Sequence, residues 1–171
     1  MMDEPIFPHR KWAVAYTASL LVAVLFMAAF VAYGSLLIGA LAGGHHSGFA
    51  AATVIFFLAV PFALFLGIWA GAIFLAPPLF LASCLQVGKF GYVVAGVSAG
   101  ALHVATISLL RAIDVELPMG ADVWLIGGAL LSEHPTIQEL LLLGAFELTA
   151  GAAAGTAFGY IFLSQRDSEG S

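Results

Sequence analysis

Residues 12–88 read WAVAYTASLLVAVLFMAAFVAYGSLLIGALAGGHHSGFAAATVIFFLAVPFALFLGIWAGAIFLAPPLFLASCLQVG. These 77 consecutive positions hold no Asp, Glu, Lys or Arg. A soluble domain needs a solvated face, and this stretch has none. Two further apolar runs follow, residues 90–110 without charge and residues 140–163 with Glu147 as the only charge. A run of about 18 apolar residues is enough to nominate a membrane span. The whole chain is 62% hydrophobic and 9% charged, against about 45–50% apolar and about 25% charged in soluble domains. The expected fold is therefore all-α, a polytopic membrane protein whose four helices form a bundle in the lipid bilayer.

The boundaries follow from the breaks. Residues 1–11 form a cytoplasmic N-terminus, and the first span lies within residues 12–41. Arg10 and Lys11 before an apolar run, and Ala40-Leu41-Ala42 after it, imitate a signal peptide. The run is far longer than the roughly 7–15 residues of a signal core, so a retained helix is expected. Gly43-Gly44-His45-His46-Ser47-Gly48 is a turn of the kind that joins antiparallel helices. The next apolar run, residues 49–85, exceeds the ~20 residues that cross a hydrocarbon core. Proline lacks an N–H and disfavours helix in the residue before it. Pro77-Pro78 therefore predicts an end near Ala76, with a span at 50–76 and residues 79–86 along the interface. Pro61 falls inside that span as a kink.

The third span is expected at 90–110. Asp114, Glu116, Pro118, Gly120 and Asp122 then mark a polar excursion, ending in residues 123–131, too short to cross and read as an interfacial or re-entrant segment. The last span is 139–163, and residues 164–171 are expected to be a disordered cytoplasmic tail. Cytoplasmic loops are enriched in Lys and Arg. With four spans, Arg10, Lys11, Lys89 and Arg166 share one side against Arg111 alone, which predicts both termini in the cytoplasm. A bacterial inner membrane fits the short loops.

Without a hydrophobic drive between helices in lipid, close approach over small residues supplies much of the packing. Gly151, Gly155 and Gly159 recur at four-residue spacing and share a face. Gly96 and Gly100 do so on the third span, Ala59, Ala63, Gly67 and Gly71 on the second, and Ser35, Gly39 and Gly43 on the first. The plainer alternative is that glycine and alanine are simply common in membrane helices.

Two ionisable residues fall within spans, where Asp, Lys or Arg at mid-helix costs about 2.5–3.5 kcal/mol on insertion scales, so such residues are functional candidates. Glu147 stands one turn before Gly151 and His103 one turn after Gly100, each on its glycine face. Each is eight positions from the non-cytoplasmic end of its helix, counted from Glu139 and Arg111. At 1.5 Å per residue that is roughly 12 Å deep for both. They are expected to face each other, with Ser98, Thr106 or Thr149 nearby, as a site for a proton or cation. The alternative is structural: a protonated Glu147 bridging helices, with His103 bonded to a backbone carbonyl.

His45, His46 and His134 suit a transition metal by ligand type, but adjacent histidines lack the i, i+4 geometry that aims both at one ion. No metal or cofactor is expected. Cys84, the one cysteine, excludes an internal disulfide and is expected as a small core residue near a helix end. The net charge of −5 does not resemble a nucleic-acid footprint. Phosphate-cradling glycine loops, Gly-x-Ser-x-Gly and His-Glu-x-x-His are absent, so the protein is read as non-enzymatic. In size and topology the chain is similar to small membrane subunits of multi-component transporters, such as the small permease subunit of tripartite carboxylate transporters. That is an architectural likeness, and fold does not fix function. The sequence favours an accessory or structural subunit of a membrane complex, a homo- or hetero-oligomer assembled through its glycine faces. The rival is a small transporter or channel protein using Glu147 and His103.

Overall fold

The computed structural model describes residues 9–41, 48–112 and 137–167. All regular structure among them is helical: α1 (His9–Leu41), α2 (Phe49–Ala70), a π-helical turn (Gly71–Leu75), α3 (Ala76–Cys84), α4 (Lys89–Ala112) and α5 (Ile137–Asp167). Among the described residues four stretches are long and apolar enough to cross a membrane: Arg10–Phe30, Gly67–Cys84, Lys89–Leu110 and Leu140–Gln165. The expected segment 123–131, the candidate ligands His45, His46 and His134, and Gly43 of the first-helix row lie outside the described residues.

Neighbouring helices run antiparallel, as pairs of contacts at their two ends show. Between α1 and α5, Trp12 meets Phe158 with ring centroids 5.9 Å apart, and Phe30 stacks on Phe146 at 4.0 Å. Between α1 and α2, Tyr33 lies by Phe49 at 5.8 Å, while Val24 packs at Gly67. Between α4 and α5, Tyr92 packs at Gly155 and Gly159, and Ile107 shares a cluster with Leu143. The π turn and α3 pack on α4 and close the ring. The four rods thus go up and down in sequence, and His9, the turn after Cys84 and Asp167 come to one end. That end carries Arg10, Lys11, Lys89 and Arg166, with Arg111 at the other.

The second rod corrects the sequence reading. The helix does not end near Ala76: pieces of 22, 5 and 9 residues follow without a break as far as Cys84. The stop signal is absorbed by the π turn, in which the Ala76 N–H bonds to the Gly71 carbonyl. Pro77 and Pro78 then fall in the first turn of α3, where an absent N–H costs least. Residues 79–86 are not a separate interfacial piece either, because Leu79, Ala82 and Ser83 are buried in the bundle. Cys84 ends the helix but is exposed, so the buried small residue there is Ser83. The N–H of Gln86 bonds to Ser83 at 3.2 Å and that of Val87 to Ala82 at 3.2 Å, a Schellman closure with Gln86 in the left-handed region at φ 52°. Val87 turns back onto the core.

The expected tail is also shorter, for α5 remains helical to Asp167. Lys11 Nζ donates to the Gln165 carbonyl at 2.9 Å, a cation at the negative end of a helix dipole. Beside it lies an aromatic core that ties four elements together: Trp12 stacks on Tyr16 at 5.0 Å and meets Phe80 and Phe158, and Tyr92 lies 5.2 Å from Phe158.

Candidate functional site

The α4–α5 contact is backbone on backbone. A Cβ on Gly96 would strike the Gly151 carbonyl oxygen, one on Gly151 the Gly96 carbonyl oxygen, and one on Gly155 the Tyr92 carbonyl oxygen. At Gly100 a Cβ would strike the Glu147 carbonyl oxygen and stand 2.8 Å from the Glu147 carbonyl carbon. Gly159 sits under Tyr92, with ring and Cβ atoms 3.0–3.2 Å from a built Cβ. The second-span row is used in the same way but against side chains, Gly67 receiving Val24 and Gly71 receiving Leu20. These glycine faces therefore meet one another, or α1, inside the chain.

The close seam brings the two ionisable residues together. His103 lies one turn beyond Gly100, and Glu147 one turn before Gly151 on the antiparallel partner. His103 Nδ1 stands 3.1 Å from Glu147 Oε2, within hydrogen-bond distance. The residues are 4% and 5% exposed. The His103 ring also packs on Phe74 of the π turn, with centroids 4.8 Å apart. The structure does not bring the neighbouring hydroxyls into the pair. Ser98, Thr106 and Thr149 each donate to the carbonyl four residues earlier on their own helix, at 2.8, 2.8 and 2.7 Å.

Two polar atoms of the pair, His103 Nε2 and Glu147 Oε1, have no hydrogen-bond partner among the described residues, and both are buried. The two residues line a cavity of about 70 Å³. Every rod of the bundle contributes to its wall, including Leu20 and Val24 from α1, Phe74 from the π turn and Ala154 from α5. Neither the cavity nor Phe74 was legible in the sequence, because Phe74 reaches His103 only through the π turn. Two other buried polar atoms without a partner among the described residues, Trp12 Nε1 and Tyr16 Oη, lie on α1 toward the termini.

Chemically the pair is a single proton site. With Glu147 ionised, Nδ1–H of a neutral imidazole donates to Oε2 and the pair carries −1. One added proton makes it neutral, whether it resides on the carboxyl or on the ring. No group of three His, Cys, Asp or Glu able to hold a metal occurs among the described residues. Comparison of the chain with protein-family models, with curated proteins and with solved structures finds no match.

Proposed function

We propose that the chain is a multi-pass membrane protein of the bacterial inner membrane type, with both termini cytoplasmic, and that it is a small transporter which takes up and releases a proton or small cation at His103 and Glu147. One observation carries this reading: an acid and an imidazole, each more than nine-tenths buried, meet beside a cavity and leave one polar atom each without a partner among the described residues. Acidic groups inside a bilayer are costly and mark ion and proton paths by default. A purely structural bridge is favoured by satisfying all its polar atoms, and this pair satisfies half of them.

The accessory-subunit reading draws on glycine faces that a partner chain could use. Gly96, Gly100, Gly151 and Gly155 face each other across α4 and α5, so those faces offer a partner nothing. The rods are consistent with crossing a bilayer. At 1.5 Å per residue, α4 with 24 residues is roughly 36 Å long, against a hydrocarbon core of about 30 Å.

The test uses the purified full chain in proteoliposomes enclosing a pH-sensitive dye, under an imposed pH gradient. The wild-type chain dissipates the gradient faster than empty liposomes, and Glu147→Gln, still folded by circular dichroism, does not. Equal rates for the two proteins would overturn the transport reading.

A further inference from the structure

We propose that His103 and Glu147 form a site for the bare proton alone, which takes no metal or organic cation in its place. The proposal rests on the transport reading of this site and names its substrate. The first observation is where the polar atoms lie. His103 Nδ1 and Glu147 Oε2 are spent on each other at 3.1 Å. The two atoms left over, Nε2 and Oε1, sit on the far sides of the imidazole and the carboxyl, and neither has accessible surface. A ligand held in the cavity therefore meets neither of them.

The second observation is the wall. His103 and Glu147 are the only titratable residues lining the cavity, and every other residue there, from α1, α2, the π turn, α4 and α5, is apolar or glycine. A space of about 70 Å³ is roomy enough for water, yet water needs polar partners and apolar cavities stay dry. A metal ion entering it would have to exchange its hydration for ligands that the wall does not have. Zinc takes about four ligands, calcium and magnesium about six or more, and channels that strip potassium replace its water with rings of carbonyl oxygens. No group of three His, Cys, Asp or Glu able to hold a metal occurs among the described residues. An ammonium would need acceptors on the cavity surface, which the same wall withholds.

A proton has none of these requirements. It needs one lone pair, no shell of ligands and no volume. The two states of the pair differ by a single proton, wherever in the pair that proton sits. A carboxyl meets a proton donor by turning about its last torsion, which is broad and soft, so loading the site takes a side-chain rotation and not the building of a cage. The consequence is electrical. Transport through such a site moves one positive charge with nothing returning, and the potential it builds stops the flow unless another path carries charge back.

The experiment is a pH titration of the purified full chain in detergent over roughly pH 4–10, read from the His103 ring and Glu147 carboxyl resonances. Sodium, potassium, lithium and methylammonium chlorides are compared at constant ionic strength. A cation that competes with the proton lowers the midpoint, well above its Kd, by about one pH unit for each tenfold rise in its concentration. The expected result is uptake of one proton with the same midpoint in all four salts. In proteoliposomes under a pH gradient, proton movement should then require potassium with valinomycin to return the charge, and sodium should not replace them. Glu147→Gln loses this movement, and His103→Gln carries the comparison should Glu147→Gln fail to fold. A midpoint that falls with any one cation, sodium replacing valinomycin, or no titration of the pair would each overturn the proposal. If the midpoint shifts while Glu147-dependent movement persists, the proposal fails and the transport reading stands. If the midpoint is the same in every salt but no proton movement depends on Glu147, the transport reading fails and the proton site stands.

Discussion

Replacing Gly100 by Ala should pry α4 from α5 and break the buried pair without touching either of its members. The Ala Cβ would stand 2.8 Å from the Glu147 carbonyl carbon and 3.2 Å from the Leu148 amide nitrogen, whereas carbon atoms in good contact are about 3.5–4.0 Å apart. Both obstacles are backbone, so no side chain can swing aside, and the helices must separate by roughly 1 Å. Overpacking of this kind costs about 1–3 kcal/mol. Ala gains up to about 1 kcal/mol over Gly in helix propensity, leaving a net loss of up to about 2 kcal/mol. A shift of that size carries the 3.1 Å contact of His103 Nδ1 with Glu147 Oε2 past the distance of a hydrogen bond. The control is Gly144→Ala on the facing helix α5, where a Cβ meets nothing within 4 Å, and which should be neutral or stabilising. Reversible unfolding in mixed micelles gives both free energies, and the His103 ring resonances report the pair. If Gly100→Ala proves as stable as Gly144→Ala, with the imidazole signals unmoved, the backbone seam does not hold the site.

Other consequences can be measured separately. In a double-mutant cycle of His103→Ala and Glu147→Ala, the coupling energy should fall near the ~0.6 kcal/mol average of polar contacts between membrane helices and below their ~1.7 kcal/mol maximum; a value of zero would mean the two residues are neighbours without interaction. Native Cys84, exposed at the end that carries the termini, should react with an impermeant maleimide in inside-out vesicles and stay protected in right-side-out ones, and the opposite pattern would reverse the orientation. Lys11→Ala removes the 2.9 Å bond to the Gln165 carbonyl and should cost about 0.3–1 kcal/mol, read as faster amide exchange confined to the last turns of α5; protection unchanged there would show that the cap is not holding the helix end.

Much of the architecture was legible because it depends on local chemistry. Charge-free runs marked the rods, and counting eight positions from the ends of two helices placed His103 and Glu147 at one depth, where the structure brings them into contact. Spacing identified the glycine faces too, since a four-residue repeat fixes which side of a helix is smooth. It could not say what each face meets. Gly67 and Gly71 receive side chains of α1 while Gly96 and Gly100 receive backbone of α5, a difference that lies in the neighbour and not in the repeat. The reading of Pro77-Pro78 as a stop failed for a related reason. Proline removes a donor, and whether that ends a helix depends on how the carbonyls one turn earlier are treated, which here is settled by a π turn. The cavity arises from the sum of small side chains on separate helices, and no single segment announces it.

The π turn also sets a tolerance on chain length. Along the second rod the inward residues keep a strict four-residue step, Ala63, Gly67, Gly71, Leu75, Leu79 and Ser83. In a regular α-helix four residues turn through about 400°, so such a row drifts about 40° with every step and winds off its face. The wider turn at Gly71–Leu75 takes back part of that drift and keeps the lower half of the rod aimed at α4. The rod is therefore a ratchet with a counted number of teeth. Returning that turn to α geometry with every residue kept would rotate everything beyond it by nearly the ~100° of one residue, carrying Leu79 and Ala82 out of the core and exposing their neighbours in exchange, whereas deleting one residue at the same place would let α geometry return with the register nearly intact.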